Sequence, residues 1–271
     1  LKLGQGTGTT ATPGTDTGAP LVSFDGGRTF APITVDAQGN ATITVPANTP
    51  ADQIVVRVPT TPDNITEAAE TFKVTASTPI NTVPVEGTGT ITDATGQPKL
   101  SISGPVEVNE AAGTLTYTVT LSNPSSTPVT VNYGTVDGTA KLGSDFTAAP
   151  GTLTFAPGET SKTVTVTITN DTVYEGSEAF QVKLTNPTGA VITADTVTTT
   201  IKDDGTGTTP PGVTPDDDRP AIASVGSPTI AEGGNLDFVV KLTHESTTPT
   251  TVTLKLGQGT GTTATPGTDT G

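Results

Sequence analysis

The amino-acid sequence predicts an all-β protein made of tandem immunoglobulin-like Greek-key β-sandwiches. Apolar residues alternate with threonine or other polar residues over short segments, which is the period-two pattern of half-buried strands. Asn-Pro, Pro-Gly and Asp-Gly pairs separate these segments and favour turns. No stretch carries the apolar periodicity of an amphipathic helix. Small sandwiches with thin cores suit a chain whose hydrophobic content is only 31%.

The clearest alternation begins at Lys99 and continues to Lys202. It predicts seven strands, the number typical of an immunoglobulin-type sandwich, over residues 99–103, 113–121, 129–133, 151–155, 162–168, 179–184 and 196–202. Threonine fills most outward positions, where a β-branched side chain suits an exposed pleat. Upstream, Asp25-Gly26-Gly27 predicts a hairpin turn in an additional stretch that the central domain lacks.

Two segments without periodicity divide the chain. Residues 94–98 (ATGQP) form a short linker, and residues 206–220 (TGTTPPGVTPDDDRP) form a longer one rich in Pro, Gly, Thr and Asp. The predicted units are the C-terminal part of one sandwich repeat, a complete sandwich, an acidic linker and the N-terminal part of the next repeat, over residues 1–93, 94–205, 206–220 and 221–271.

The stretch LKLGQGTGTTATPGTDTG occurs twice, as residues 1–18 and as residues 254–271, which is the signature of a repeat array. Alignment with the central domain places Glu232 opposite Glu110 and Asp269 opposite Asp145. Each flanking half alone would expose strand edges and an apolar face. Neighbouring repeats are therefore the expected partners, and two arrangements stay open: half-domains paired between chains, or repeats completed within a longer polymer.

Composition excludes several classes of partner. The formal net charge is −15 and the sequence has 12 Lys and Arg, so nucleic acid and anionic membranes are not expected partners, because phosphate recognition needs clustered basic residues. No apolar run reaches the ~18–20 residues of a membrane span, which argues against direct membrane insertion. There is no cysteine, hence no thiolate metal site.

Acidic residues of the central domain collect at strand ends and in loops, which a Greek-key sandwich can bring together at one pole. Clustered carboxylates repel one another unless a cation lies between them. Ca²⁺ accepts ~6–8 oxygen ligands in flexible geometry and suits such a pole better than Mg²⁺. The candidate ligands are Glu110, Asp137, Asp145, Asp171, Glu175, Glu178, Asp203 and Asp204. The alternative is a set of solvated loop acids, and the run 216–218 has the same two interpretations, with solvation the usual one.

The segment GTLTFAPGETSKTVTVTITNDTVYEGSEAFQVKLTNPTGAVI, followed by TIKDDG, resembles a Calx-β domain. This is the calcium-binding sandwich of sodium–calcium exchangers, and it is also common in large bacterial adhesins exported by type I secretion. The resemblance covers residues 98–205 strongly and the flanks more weakly. It implies calcium ligation by Glu110, Asp145, Asp171, Glu175, Asp203 and Asp204.

The sequence departs from the family pattern at both ends of the central domain. It has Glu110-Ala111-Ala112 where the family begins with Glu-Gly, and Asp203-Asp204-Gly205 where three successive acids are frequent. The first half-domain ends on Asp93 followed by Ala94 and so lacks a second acid there. Calcium is therefore expected in the central domain more than in the flanking one.

These features predict a structural extender repeat of an RTX-type adhesin on the bacterial cell surface, stiffened by Ca²⁺ at domain ends and projecting a distal adhesive domain. The alternative is a carbohydrate- or protein-binding sandwich that takes part directly in adhesion, although aromatic residues amount to only 4%. An enzyme is not expected. His244 is the only histidine, so a His-based triad or zinc site has no partners.

Overall fold

The computed structural model describes residues 1–4, 11–12, 15–81 and 83–256. Within these ranges the regular structure is β-strand apart from one 3₁₀ turn, Glu110–Ala112, which confirms the predicted all-β class. In the described part of the chain, no helix has the length and apolar character needed to cross a bilayer. The Asp269 assignment lies outside the described residues.

The first unit contains two small antiparallel sheets, ordered β1-β5-β6 and β3-β2-β4. Their strands are β1 (Lys2–Gly4), β2 (Leu21–Ser23), β3 (Ala31–Pro32), β4 (Val55–Arg57), β5 (Glu70–Ala76) and β6 (Val85–Ile91). Strands β2 and β3 form the predicted hairpin. Gly26 and Gly27 have φ of 71° and 86° in its turn, and the Asp25 carboxylate accepts the N–H of Arg28 at 3.0 Å. These positive φ values explain the glycine pair.

The central unit is a sandwich of two five-stranded sheets, ordered β12-β10-β15-β17-β8 and β11-β13-β9-β7-β16. Its strands are β7 (Lys99–Ser103), β8 (Glu107–Asn109), β9 (Thr114–Leu121), β10 (Val129–Asp137), β11 (Phe146–Thr147), β12 (Gly151–Phe155), β13 (Ser161–Ile168), β14 (Val173–Tyr174), β15 (Ser177–Thr188), β16 (Val191–Ala194) and β17 (Thr196–Lys202). All seven predicted strands are present, and the short strands β8, β11, β14 and β16 were not predicted.

Alternate residues of the long strands fill the space between these two sheets. In β9 the buried positions are every second residue, from Leu115 to Leu121, while threonine takes the outward positions. Phe146 and Phe180 stack in the core with ring centroids 4.3 Å apart. Inward-facing apolar side chains of this kind supply the main stabilisation of a sandwich. Strand β9 starts beside the 3₁₀ turn and ends at the loop 122–126, so these two features lie at opposite ends of the sandwich.

The last unit is much less complete. Strands β18 (Ile222–Val225) and β19 (Val240–Leu242) pair antiparallel, and β20 (Glu245–Ser246) pairs with β14 of the central unit. No apolar side chain is buried between residues 221 and 256. Among the described residues this unit has no facing sheet, so its apolar side chains stay exposed.

The two joints between consecutive units are built alike. At the first joint Thr66 bridges Ser125 in parallel, and its carbonyl accepts the N–H of Ser126 at 2.9 Å. At the second joint Tyr174 pairs with Ser246 in parallel, and its carbonyl accepts the N–H of Thr247 at 3.0 Å. Thr66 and Tyr174 are also equivalent in the alignment of residues 63–74 with 171–182. The same loop of each unit therefore meets the same loop of the next.

Candidate metal centre

Strand pairing brings the acidic residues of the central unit together at the end that faces the last unit. Strand β8 runs parallel to β17, with Asn109 opposite Lys202. The residues that follow these two strands, Glu110 in the 3₁₀ turn and Asp203 after β17, therefore lie side by side. The carboxylate of Asp218, near the C-terminal end of the linker, joins them as the third.

Glu110, Asp203 and Asp218 form what we call the buried cluster. One carboxylate oxygen from each lies within 4.8 Å of the others, and the residues are 6%, 3% and 3% exposed. Glu110 Oε2, Asp203 Oδ1 and Asp218 Oδ2 are buried without a hydrogen-bond partner among the described residues. Buried unpaired carboxylates are costly, and a divalent cation would give all three a partner at once. The donor set therefore fits a hard cation such as Ca²⁺.

The Asn109 side chain explains why Asp218 reaches this cluster. Asn109 is fully buried, and its Nδ2 donates to the carbonyls of Lys202, Thr206 and Asp216 at 3.2, 2.9 and 3.0 Å. Its Oδ1 accepts the N–H of Asp216 at 2.7 Å. One amide thus holds both ends of the segment 206–216 against the sandwich. Asp218 follows directly and is delivered to Glu110 and Asp203.

Asp145, Glu175 and Glu178 form a second group, which we call the half-buried cluster. Their carboxylate oxygens also lie within 4.8 Å of one another, and each side chain is partly exposed. Asp145 precedes β11, and its carboxylate accepts the N–H of Lys141 at 2.6 Å. Glu175 lies between β14 and β15, and Glu178 is the second residue of β15; their carboxylates meet that of Asp145 in the same space.

The two clusters share one cavity, lined among others by Glu110, Asp145, Glu175 and Asp203. Its volume is about 10 Å³, close to what one water-sized particle needs. The N–H of Glu175 donates to Asp203 Oδ2 at 2.9 Å, which links the clusters directly. The N–H of Asp171 donates to Glu110 Oε1 at 3.1 Å, so Asp171 borders the buried cluster through its backbone while its side chain is exposed.

Burial and mutual repulsion perturb these carboxyls strongly. Burial, followed by the charge of Asp203, raises the pKa of Glu110 to about 8. Burial, followed by contact with Asp145, raises the pKa of Glu178 to about 7. Burial also raises the pKa of Asp203. Carboxyls that resist ionisation in this way are ionised readily once a cation shares the cavity, so cation binding releases protons.

Besides Asp171, two predicted ligands have carboxylates that lie outside both clusters. Asp137 is exposed, and its carboxylate accepts the N–H of Leu142 at 3.2 Å. Asp204 accepts the N–H of Thr206 at 3.1 Å and bridges Asp217 through its backbone. Neighbouring residues of an extended chain point to opposite sides, so Asp204 turns away where Asp203 turns inward. In contrast, Asp218 lies in the buried cluster although the pattern of an acidic run in a linker favours solvation.

The first unit repeats part of this arrangement. Asp16, Glu67 and Glu70 hold carboxylate oxygens within 4.8 Å of one another and are partly exposed. The N–H of Glu67 donates to Asp93 Oδ2 at 3.1 Å, which is the counterpart of the bond from Glu175 to Asp203. The described residues of this unit thus contain an equivalent of the half-buried cluster and no equivalent of Glu110 beside it.

Residues 40–95 and 93–205 match the Calx-beta domain family, and together these matches cover more than half of the chain. The family consists of calcium-binding domains and is not catalytic, which agrees with the expectation that the chain is not an enzyme. The crystal structure of an apo-form Calx CBD1 domain is 31% identical and covers 40% of this chain and 99% of its own, with a TM-score of 0.38.

Three relatives illustrate where similar sequences occur. Extracellular matrix protein 3 of Lytechinus variegatus is 36% identical over 45% of this chain. Sodium/calcium exchanger 2 of Rattus norvegicus is 48% identical over 21% of this chain, and sodium/calcium exchanger 1 of Canis lupus familiaris is 39% identical over 31%. The chain spans only 4%, 6% and 9% of the lengths of these three proteins.

Proposed function

The chain belongs to the Calx-beta domain family, and on this basis we propose that it is a calcium-stiffened extender of a bacterial cell-surface adhesin. Ca²⁺ binds at the acidic end of the central sandwich and holds the next unit in place. A string of such units projects a distal adhesive domain away from the cell. The name of one relative, extracellular matrix protein 3, supports an extracellular structural role.

The observation that carries this proposal is the position of the buried cluster at a joint. Glu110 and Asp203 belong to the central sandwich, whereas Asp218 lies near the C-terminal end of the linker, next to the last unit. The Nε2 atom of His244, in the last unit, lies 3.5 Å from the Oδ1 atom of Asp218. A cation shared by the three carboxylates therefore ties the sandwich to the start of the next unit. The repeated loop contacts at both joints place consecutive units in the same way along an array.

Calcium supplies positive charge that offsets the repulsion among the six clustered carboxylates. Extracellular modules bind it with dissociation constants on the order of 10⁻⁴ to 10⁻³ M, which suits a calcium-rich exterior. Without calcium the buried carboxylates repel one another, and the linker is held by hydrogen bonds alone, such as those that Asn109 donates to Thr206 and Asp216. The array is then looser, which favours passage through a secretion channel.

Direct adhesion through a sugar- or protein-binding face has weaker support. Phe24 and Phe30 border an open cleft of the first unit. The guanidinium of Arg57 lies 3.6 Å from the centroid of the Phe30 ring and covers one of its faces. That face is therefore engaged in a cation–π contact and does not serve as a free stacking platform.

The full-length chain tests the extender proposal by thermal melting and small-angle X-ray scattering, each with calcium and with excess chelator. We expect calcium to raise the melting temperature and to increase the maximum dimension. Asp203→Asn should lose both effects, whereas the matched control Asp137→Asn should keep them. Equal melts and equal scattering in calcium and chelator would overturn the proposal. A dissociation constant in the nanomolar range would contradict the extracellular extender role.

A further inference from the structure

We infer that the two joints of this chain respond differently to calcium: the first is held without a cation, whereas the second needs one to stay closed. The inference rests on the calcium binding of the proposed function and adds which of the two joints that binding controls. An array of this repeat then alternates two kinds of joint.

Strand registers show which positions of the two joints are equivalent. In the central unit Leu100 of β7 pairs with Leu121, the last residue of β9. In the last unit Ile222 of β18 pairs with Leu242, the last residue of β19. Strands β18 and β19 are therefore the counterparts of β7 and β9, and positions at the joints can be counted from them.

The joints differ at two equivalent positions. Two residues after β9 comes Asn123, and two residues after β19 comes His244. Four residues before the first members of the two strand pairs come Gly96 in the short linker and Asp218 in the long one. An uncharged amide and a glycine at the first joint thus correspond to an imidazole and a carboxylate at the second.

The first joint is held by hydrogen bonds between uncharged groups, and these centre on Thr66. The Thr66 N–H donates to the Pro124 carbonyl at 2.8 Å, and the Thr66 carbonyl accepts the N–H of Ser126 at 2.9 Å. The Thr66 hydroxyl accepts from Asn123 Nδ2 at 2.6 Å and donates to the Gly96 carbonyl at 2.5 Å. Asn123 is buried. None of these groups carries a charge, so a cation is not needed to hold them together.

The backbone of the short linker explains why the first joint has no carboxylate at this position. Gly96 has φ of 73°, in the left-handed region that favours glycine, whereas Asp218 does not have a positive φ. At the first joint the linker therefore offers a carbonyl to Thr66. At the second joint it offers a carboxylate to the buried cluster.

The second joint keeps the backbone contact but loses side-chain bonds. Tyr174 takes the place of Thr66, and its carbonyl accepts the N–H of Thr247 at 3.0 Å. Tyrosine has no hydroxyl on Cβ, so the two bonds of the Thr66 hydroxyl have no counterpart there. His244 faces the linker instead, with its Nε2 atom 3.5 Å from the Oδ1 atom of Asp218. Closure of the second joint therefore depends on where Asp218 lies.

The position of Asp218 depends in turn on a cation. All three carboxylates of the buried cluster are almost fully buried, and each has an oxygen without a hydrogen-bond partner among the described residues. Burying three such groups without a cation is costly, so Asp218 and the end of the linker are then held weakly. With a shared cation the same three groups hold Asp218 in place, and His244 has its contact. Cation binding and closure of the second joint are therefore coupled.

Amide hydrogen exchange of the full-length chain, followed by NMR at one pH in calcium and in excess chelator, tests the inference. The N–H groups of Ser126 and Thr247 are matched probes, because each donates to the carbonyl of the neighbouring unit at its own joint. We expect exchange at Thr247 to be at least about tenfold faster in chelator, and exchange at Ser126 to change by less than about twofold.

Two variants of the linker sharpen this test. Asp218→Gly places the residue of the first joint in the second, and it should abolish the calcium effect on Thr247 while Ser126 exchanges as before. Asp217→Asn is the matched control, since Asp217 is exposed and lies outside the buried cluster, and it should exchange like the wild type.

His244→Ala tests the coupling from the other side. Because coupling between two sites is reciprocal, loss of the His244 contact should weaken calcium binding by about threefold or more in calorimetric titration. An unchanged dissociation constant would show that the last unit is not coupled to the buried cluster, and would overturn the inference.

The outcomes separate this inference from the proposed function. If calcium raises the melting temperature but changes exchange at both joints equally, or leaves Thr247 unchanged, the inference is wrong and calcium binding stands. A calcium effect on Thr247 that persists in Asp218→Gly would also overturn it. If neither exchange nor melting responds to calcium, the inference and the proposed function both fail.

Discussion

Replacing Glu110 by glutamine should stabilise the chelated protein and remove most of its response to calcium. Glu110 is 6% exposed, and its Oε2 has no hydrogen-bond partner among the described residues. Its Oε1 accepts the N–H of Asp171, and a glutamine oxygen can accept the same bond. Glu110→Gln therefore removes an ionisable group from the buried cluster while preserving shape and this contact.

The magnitude follows from the pKa of Glu110, which burial raises from 4.5 to about 8. At pH 7 the unfolded chain has this carboxyl ionised, whereas the folded chain holds it protonated. Folding must take up a proton, which costs about 1.4 kcal/mol for each pH unit above the unfolded pKa. The cost at pH 7 is at most about 3 kcal/mol. A domain of this size gains about 4 °C per kcal/mol, so the chelated variant should melt up to about 10 °C higher.

The assay is a thermal melt of the full chain at pH 7, in chelator and in calcium. The wild type should gain about 3 kcal/mol at a calcium concentration of 100 times the dissociation constant, and the variant should gain much less. Glu107→Gln is the control, because Glu107 is exposed and lies outside the cluster. A lower melting temperature of Glu110→Gln in chelator, or an undiminished calcium response, would refute the reasoning.

Three further predictions concern the same end of the sandwich. In chelator the melting temperature should fall from pH 5 to pH 8. The pKa of Glu110 is 4.5 in the unfolded chain and about 8 in the folded chain, so its contribution to stability is full below pH 4.5 and is lost as the pH rises towards 8. A melting temperature that rises over this range would contradict the prediction. Calorimetric titration should show calcium binding about tenfold or more weaker for Asp218→Asn but nearly unchanged for the exposed Asp217→Asn. Gly207→Ala should lower the free energy of unfolding, measured by denaturant titration, by at least about 1 kcal/mol more than Gly212→Ala does. Both glycines have positive φ, but only at position 207 would a Cβ lie 2.6 Å from the backbone of Val108 in β8. Equal costs would count against docking of the linker.

The long strands were predictable because the facing sheets impose a two-residue period on them. Strand β9 shows this period at every position from 114 to 121. Strands β8, β11 and β14 have only three, two and two residues. Two or three residues cannot display an alternation, and such strands form because long partners already lie beside them. Their existence is therefore a tertiary property.

The predicted site was recognisable where acids follow a strand or resemble a known motif, as Glu110 and Asp203 do. Asp218 depends instead on the buried amide of Asn109, which is bonded to Thr206 and Asp216 across a long separation in sequence. No local pattern signals such a contact. The sequence signal that pointed to Asp218 was the run of successive acids 216–218 near the end of the linker.

The fold of the linker also has a mechanical consequence. The N–H of Gly205 donates to the Asp216 carbonyl at 2.8 Å, so residues 206–215 form a closed loop that adds nothing to the length of the chain. Under tension, rupture of this bond and of the Asn109 bonds would release these residues. Extended chain spans up to ~3.3–3.6 Å per residue, so release of one such linker would lengthen the chain by roughly 30 Å. A pulled array could thus absorb a sudden load by yielding at its linkers before any sandwich unfolds.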